Sequence, residues 1–128
     1  MASPRTLLVA AAMAAVVGAA ALLPAAASAK TYVVGDDAGW DTGVDYDAWA
    51  RGKKFKVGDT LVFRYSTPEH DVVQVDARGY DECVAPDNAV LLTSGNDHVV
   101  LGQAGRFFFI CDTEGECSSG LKLTVNVH

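Results

Sequence analysis

Beyond residue 24 the chain has no long apolar run. No later segment therefore reads as a membrane span or as the hydrophobic tail of a lipid-anchored protein. Basic residues are few: ten Lys and Arg face sixteen Asp and Glu, for a formal charge of −6. That balance is wrong for nucleic acid, whose affinity rests largely on cationic contacts to phosphate. It also leaves no polybasic patch for anionic lipid. The one local basic run, Lys53-Lys54-Phe55-Lys56, reads as a solvated turn before a strand. No Asn-x-Ser/Thr acceptor occurs, since Asn88, Asn96 and Asn126 all fail the pattern. Internal repeats are absent. Cysteine is sparse, with three in the chain.

What is present begins with an export signal. Arg5 supplies a positive start, residues 7–23 form an Ala/Leu-rich run, and Ala27-Ser28-Ala29 is a small-x-small cleavage pattern. The run is short and is interrupted by Gly18 and Pro24, which argues against a stable span. Residues 1–29 are thus expected to be a secretory signal peptide, and residues 30–128 one small domain. Removal of residues 1–29 takes Arg5 with it, and the formal charge moves from −6 to −7. The expected location is extracellular, and no membrane anchor is expected.

The remainder reads as short strands with turn punctuation. Strand-like runs fall at 31–34, 59–65, 71–75, 89–92, 98–101, 106–111 and 121–127. The last is the cleanest: Leu121, Leu123, Val125 and Val127 alternate with Lys122, Thr124 and Asn126, the period of a half-buried strand. Ser94-Gly95-Asn96-Asp97 reads as a turn between two of these runs. Residues 45–51 and 80–84 are short helical candidates, neither long enough to be stable alone. Many short strands with regular turns indicate an all-β sandwich or barrel. In an exported domain, three cysteines imply one bridge and one spare thiol, with three pairings open.

Several segments, taken together, resemble the phytocyanins, the plant blue-copper branch of the cupredoxins. YVVGDDAGWD is similar to that family's first strand and Gly-Trp turn, KFKVGDTLVFRY to the strand leading toward its first ligand, and EHDVVQV to its first-ligand His strand. GQAGRFFFICDTEGEC is similar to its Cys-ligand strand and loop. The resemblance spans nearly all of residues 30–128. It implies a Greek-key cupredoxin fold with short helical segments and one disulfide, Cys83 with Cys117, leaving Cys111 free. A bridge closing that loop stabilises by roughly 3–4 kcal/mol in the chain-entropy model.

The same resemblance implies copper as cofactor and assigns the site positions. A blue-copper centre takes one thiolate, two imidazoles and a weak axial ligand. His70 matches the first imidazole and Cys111 the thiolate. Glu116 stands where the second imidazole belongs, and Leu121 where the axial Met or Gln belongs. The axial contact mainly tunes potential, so Leu121 alone leaves a plausible site. Glu116 is the heavier loss, because a carboxylate is a harder donor poorly suited to Cu(I). Taken singly, His70 reads as an ordinary strand-edge histidine, Cys111 as an inert buried thiol, Glu116 as a solvated loop acid and Leu121 as core. If the loop keeps the family's shape, Glu116 is expected close to His70. His98 and His128 are not expected to replace the missing imidazole. Trp40 and Trp49 read as core or corner residues.

The expected function is a secreted phytocyanin-like protein with a degraded type 1 copper site, a non-catalytic extracellular binding or structural protein. The alternative is a copper-dependent one-electron carrier using His70, Cys111 and a weakened third ligand; zinc in a Cys/His/Glu site is a further option. An enzyme is not expected, since no group to orient His70 toward Cys111 is identifiable. The partner would be an unidentified cell-wall or redox protein, and the chain a monomer.

Overall fold

A computed structural model describes residues 28–128. Nearly all of the expected signal peptide lies outside the described residues. Seven strands make two sheets: β1 (Thr31–Val33), β2 (Thr60–Arg64) and β5 (Asn96–Val100) in one; β4 (Leu91–Leu92), β3 (Val72–Val75), β6 (Gly105–Ile110) and β7 (Lys122–Val127), in that order, in the other. β1 runs parallel to β2, and every other pairing of named strands is antiparallel. The chain changes sheet between β2 and β3, between β4 and β5, and again between β5 and β6. The all-β, two-sheet architecture is as expected.

Alternation on the strands builds the core between the sheets. Leu123, Val125 and Val127 are buried on β7, and Phe107 and Phe109 on β6. An aromatic chain spans the gap. Trp40 meets Phe63 of β2 edge-on, with ring centroids 5.0 Å apart, and Phe63 meets Phe109 of β6 at 5.2 Å. Such pairs add about 0.5–1.5 kcal/mol each beyond the area they bury.

The two helical candidates form. α1 (Tyr46–Ala50) is capped by Asp45, whose carboxylate accepts the Ala48 N–H at 3.0 Å, and packs on β7. α2 (Ala77–Glu82) is capped by Asp76 and ends at Cys83, which takes a left-handed conformation at φ 55°. The expected helix at 80–84 thus begins three residues earlier and stops short of Val84, because the Asp76 cap sets its start.

The expected turn at 94–97 is also corrected. Asn96 and Asp97 belong to β5, opposite Arg64 and Phe63. Asp97 is a turn-former by propensity, but here its buried carboxylate accepts hydrogen bonds from the Tyr65 hydroxyl and from Ser94 Oγ. Those partners hold it in an extended strand.

Candidate metal centre

His70 follows a turn whose Glu69 and His70 N–H groups both donate to the Ser66 carbonyl. The strand it leads into is pinned by Trp40, whose indole N–H donates to the Asp71 carbonyl at 2.9 Å. Trp40 is itself placed by Gly39: its own N–H donates to the Arg64 carbonyl at 2.7 Å. Gly39 adopts φ 68°, and a Cβ there would lie 2.6 Å from the same carbonyl oxygen. Only glycine permits that approach.

The imidazole is buried, at 6% exposure. Its Nε2 lies 3.1 Å from Asp41 Oδ1. An ionised carboxylate only accepts, so Nε2 carries the hydrogen, and in the neutral ring Nδ1 presents a bare lone pair. That Nδ1 is buried and, among the described residues, has no hydrogen-bond partner. Glu116 Oε1 is 3.9 Å from it, beyond hydrogen-bonding reach. The Thr42 N–H and the His70 ring hold the Asp41 carboxyl below the usual carboxylate range.

Cys111 follows the end of β6 and is buried and free of disulfide. Its N–H donates to the Leu121 carbonyl, and the Leu121 N–H donates to the Glu116 carbonyl at 3.0 Å. These bonds fold residues 111–121 into one closed loop. Gly120, at φ 108°, allows the chain to turn back into β7. Burial pushes the Cys111 thiol up, against contacts from Thr113 and the Asp71 backbone that pull it down. The Asp71 carboxylate accepts the Asp112 N–H at 2.6 Å and so ties the His70 strand to the Cys111 loop. Cys117 carries the disulfide to Cys83, and Leu121 is fully buried in the core.

The four positions read from the sequence thus come together in part. His70 and Glu116 face each other as expected, but without a hydrogen bond. His98 lies exposed on β5 opposite Val62, and the His128 backbone bonds to Phe55 and Val57, away from the loops that carry His70 and Cys111. Sequence reasoning missed Asp41, 29 residues from His70, and it missed the Asp71 tie. Asp41 also corrects the expectation that nothing orients His70. No local signal marks either contact, because both depend on loops meeting across the sandwich end.

The donor chemistry is one unpartnered imidazole nitrogen, one thiol, one carboxylate and an aliphatic side chain. A type 1 copper centre needs a second imidazole. Among the described residues no group of three or more His, Cys, Asp or Glu side chains is placed to hold a metal ion. The residues present do not fit that centre.

Against known proteins, a plastocyanin-like domain family matches residues 40–121. The blue copper protein of Petunia hybrida is 48% identical over 106 residues, covering 81% of this chain but 40% of that protein, so the chain spans well under half of that relative. The basic blue protein of Cucumis sativus is 41% identical over 95 residues, covering 74% of this chain and 96% of that protein. The solved structure of cucumber basic protein, a blue copper protein, superposes with a TM-score of 0.71 at 40% identity, covering 77% of this chain and 99% of that one.

Proposed function

Starting from the fact that the chain belongs to the phytocyanin family of blue copper proteins, we propose that it is a family member whose copper site has decayed. It acts as a secreted, non-catalytic binding or structural protein of the cell exterior. The observation that carries this reading is the donor set around His70. Among the described residues, the one acidic side chain within 4.0 Å of its Nδ1 is Glu116, at 3.9 Å and a carboxylate. A hard anionic donor beside a thiol disfavours the reduced, monovalent state of copper. Leu121 offers no axial donor. Adding Cu(II) to the purified protein, with a visible spectrum and metal analysis, tests this. A colourless, copper-poor protein is expected. Stoichiometric copper with an intense thiolate-to-copper band overturns it.

The same geometry supports a non-enzymatic role. Asp41 orients His70, but Nδ1 makes no hydrogen bond to the Cys111 sulfur or to any other group among the described residues. The thiol is buried, and its raised pKa suppresses the thiolate that nucleophilic chemistry needs. No helix among the described residues is long and apolar enough to cross a membrane. The expected export signal at residues 1–29 supports an extracellular location, and a monomer with a cell-wall or redox partner belongs to the same proposal.

One observation favours a second reading, a copper-dependent one-electron carrier with His70, Cys111 and Glu116 as a weakened donor set. Nδ1 is held buried with its lone pair free, as a metal donor would be. Restoring the imidazole with Glu116→His should then raise copper affinity by at least about 10- to 100-fold, the scale on which even outer partners act. If that variant stays metal-free, the pocket itself is wrong for copper and the carrier reading fails.

A further inference from the structure

Just before β2, beside the start of β1, Asp59 is buried to 2% exposure. One of its oxygens accepts the Lys30 backbone N–H at 2.9 Å, and the other accepts the Lys56 N–H at 2.8 Å. Both donors are neutral peptide groups. Lys30, Lys53, Lys54 and Lys56 line the cleft beside it, with Tyr32. Yet among the described residues no lysine side chain lies within ion-pair distance of Asp59. The carboxylate is thus buried against backbone amides, with no cation in contact. A buried charge without a counter-charge is costly.

The residue supplying the first N–H is the one that follows the small-x-small pattern Ala27-Ser28-Ala29. We propose that hydrolysis of the Ala29–Lys30 peptide bond by an export-pathway peptidase creates the missing cation, seating the new Lys30 ammonium on Asp59. Water adds across the bond: Ala29 leaves as a carboxylate, and the Lys30 nitrogen, bonded to Asp59 Oδ1 as an amide, becomes a protonated amine in the same place. A neutral hydrogen bond turns into a charge-assisted one, about twice as strong. Lys30 is already fixed on its other side, where its carbonyl accepts the Thr60 N–H at 2.9 Å and Thr31 stands in register with Thr60. Cleavage one bond away in either direction moves the ammonium by about 3.8 Å and forfeits the contact. The fold therefore reads its own processing point, and the correctly cut chain gains an ion pair that a miscut one lacks.

The test uses the full chain, expressed through a secretory host, with its product sequenced from the N-terminus. Lys30 is expected as the first residue; a different one overturns the proposal. The folded product is then labelled at neutral pH with an amine-acylating reagent, and labelling of the α-amine is followed by mass spectrometry. An anionic partner keeps an amine protonated, so acylation should be about tenfold slower than in the same product unfolded in urea. In Asp59→Asn the rate should return to within about twofold of the unfolded value, because the amide oxygen can still accept from the Lys30 nitrogen but the charge is gone. Equal rates in folded and unfolded wild type overturn the pairing. Slow labelling that persists in Asp59→Asn overturns it as well, since steric cover rather than charge would then be protecting the amine. If Asp59→Asn is not secreted, the folded-to-unfolded ratio of the wild type decides.

Discussion

His70 and Asp59 are both buried polar side chains, at 6% and 2% exposure, and the fold treats them in opposite ways. Both Asp59 oxygens are taken by backbone N–H groups. His70 has one nitrogen on Asp41 and the other without a partner. A buried polar group that serves only the fold is usually satisfied, because leaving it bare costs roughly 1–3 kcal/mol. Among the described residues two buried side-chain atoms are left bare, His70 Nδ1 and Thr124 Oγ1. The two regions are also secured differently. Hydrogen bonds close the Asp59 turn, while the loop carrying Glu116 is stapled covalently through Cys117 to Cys83.

The staple gives the largest expected effect. The paired change Cys83→Ala and Cys117→Ala should lower stability by roughly 3–4 kcal/mol, read from urea unfolding of the oxidised wild type and the variant. A loss below about 1 kcal/mol would show that hydrogen bonds alone hold the His70 end. Next comes Asp59→Ala, which strips two N–H groups of their acceptor and should cost about 2–4 kcal/mol by the same measurement. A near-neutral result would erase the contrast drawn between the two sites.

The alkaline limb sharpens it from another side. Burial pushes Tyr46 up to about 12, with its hydroxyl donating to the Gly39 carbonyl beneath the Trp40 turn. A folded pKa above the unfolded value of about 10 means that this stability is complete below pH 10 and is lost as pH rises toward 12. Tyr46 should account for on the order of 2 kcal/mol of the alkaline loss, so Tyr46→Phe should lose less by about that amount, compared by urea unfolding at pH 8 and above pH 11, while Tyr65, also pushed up to about 12 chiefly by burial, keeps a loss of its own. The smallest effect belongs to His70→Leu. It removes an orphaned nitrogen and a contact to an exposed carboxylate, so metal-free stability should change by no more than about 1 kcal/mol. A loss of 3 kcal/mol would mean that His70 is structural after all.

Much of this was legible along the chain. The alternation of Leu121, Leu123, Val125 and Val127 placed β7 and its buried face, and Asp45 marked the start of α1. The resemblance to the phytocyanins placed Cys111, Glu116 and Leu121 on one short loop, and backbone hydrogen bonds do close residues 111–121 into a single loop. Asn96 and Asp97 were misread because their turn propensity is local, whereas their pairing with Arg64 and Phe63 depends on another strand. Asp41 beside His70 was invisible for the same reason, and so was the Asp71 carboxylate on Asp112.

By itself, the sequence determined the period of β7 and which residues stand at the positions that the resemblance to the phytocyanins marks, because both are carried within a few residues. Only the tertiary structure decided which buried polar groups are satisfied. That depends on where distant backbone N–H groups and carboxylates arrive when the two sheets close on each other, and on this account Asp59 is held at both oxygens while His70 keeps a bare nitrogen.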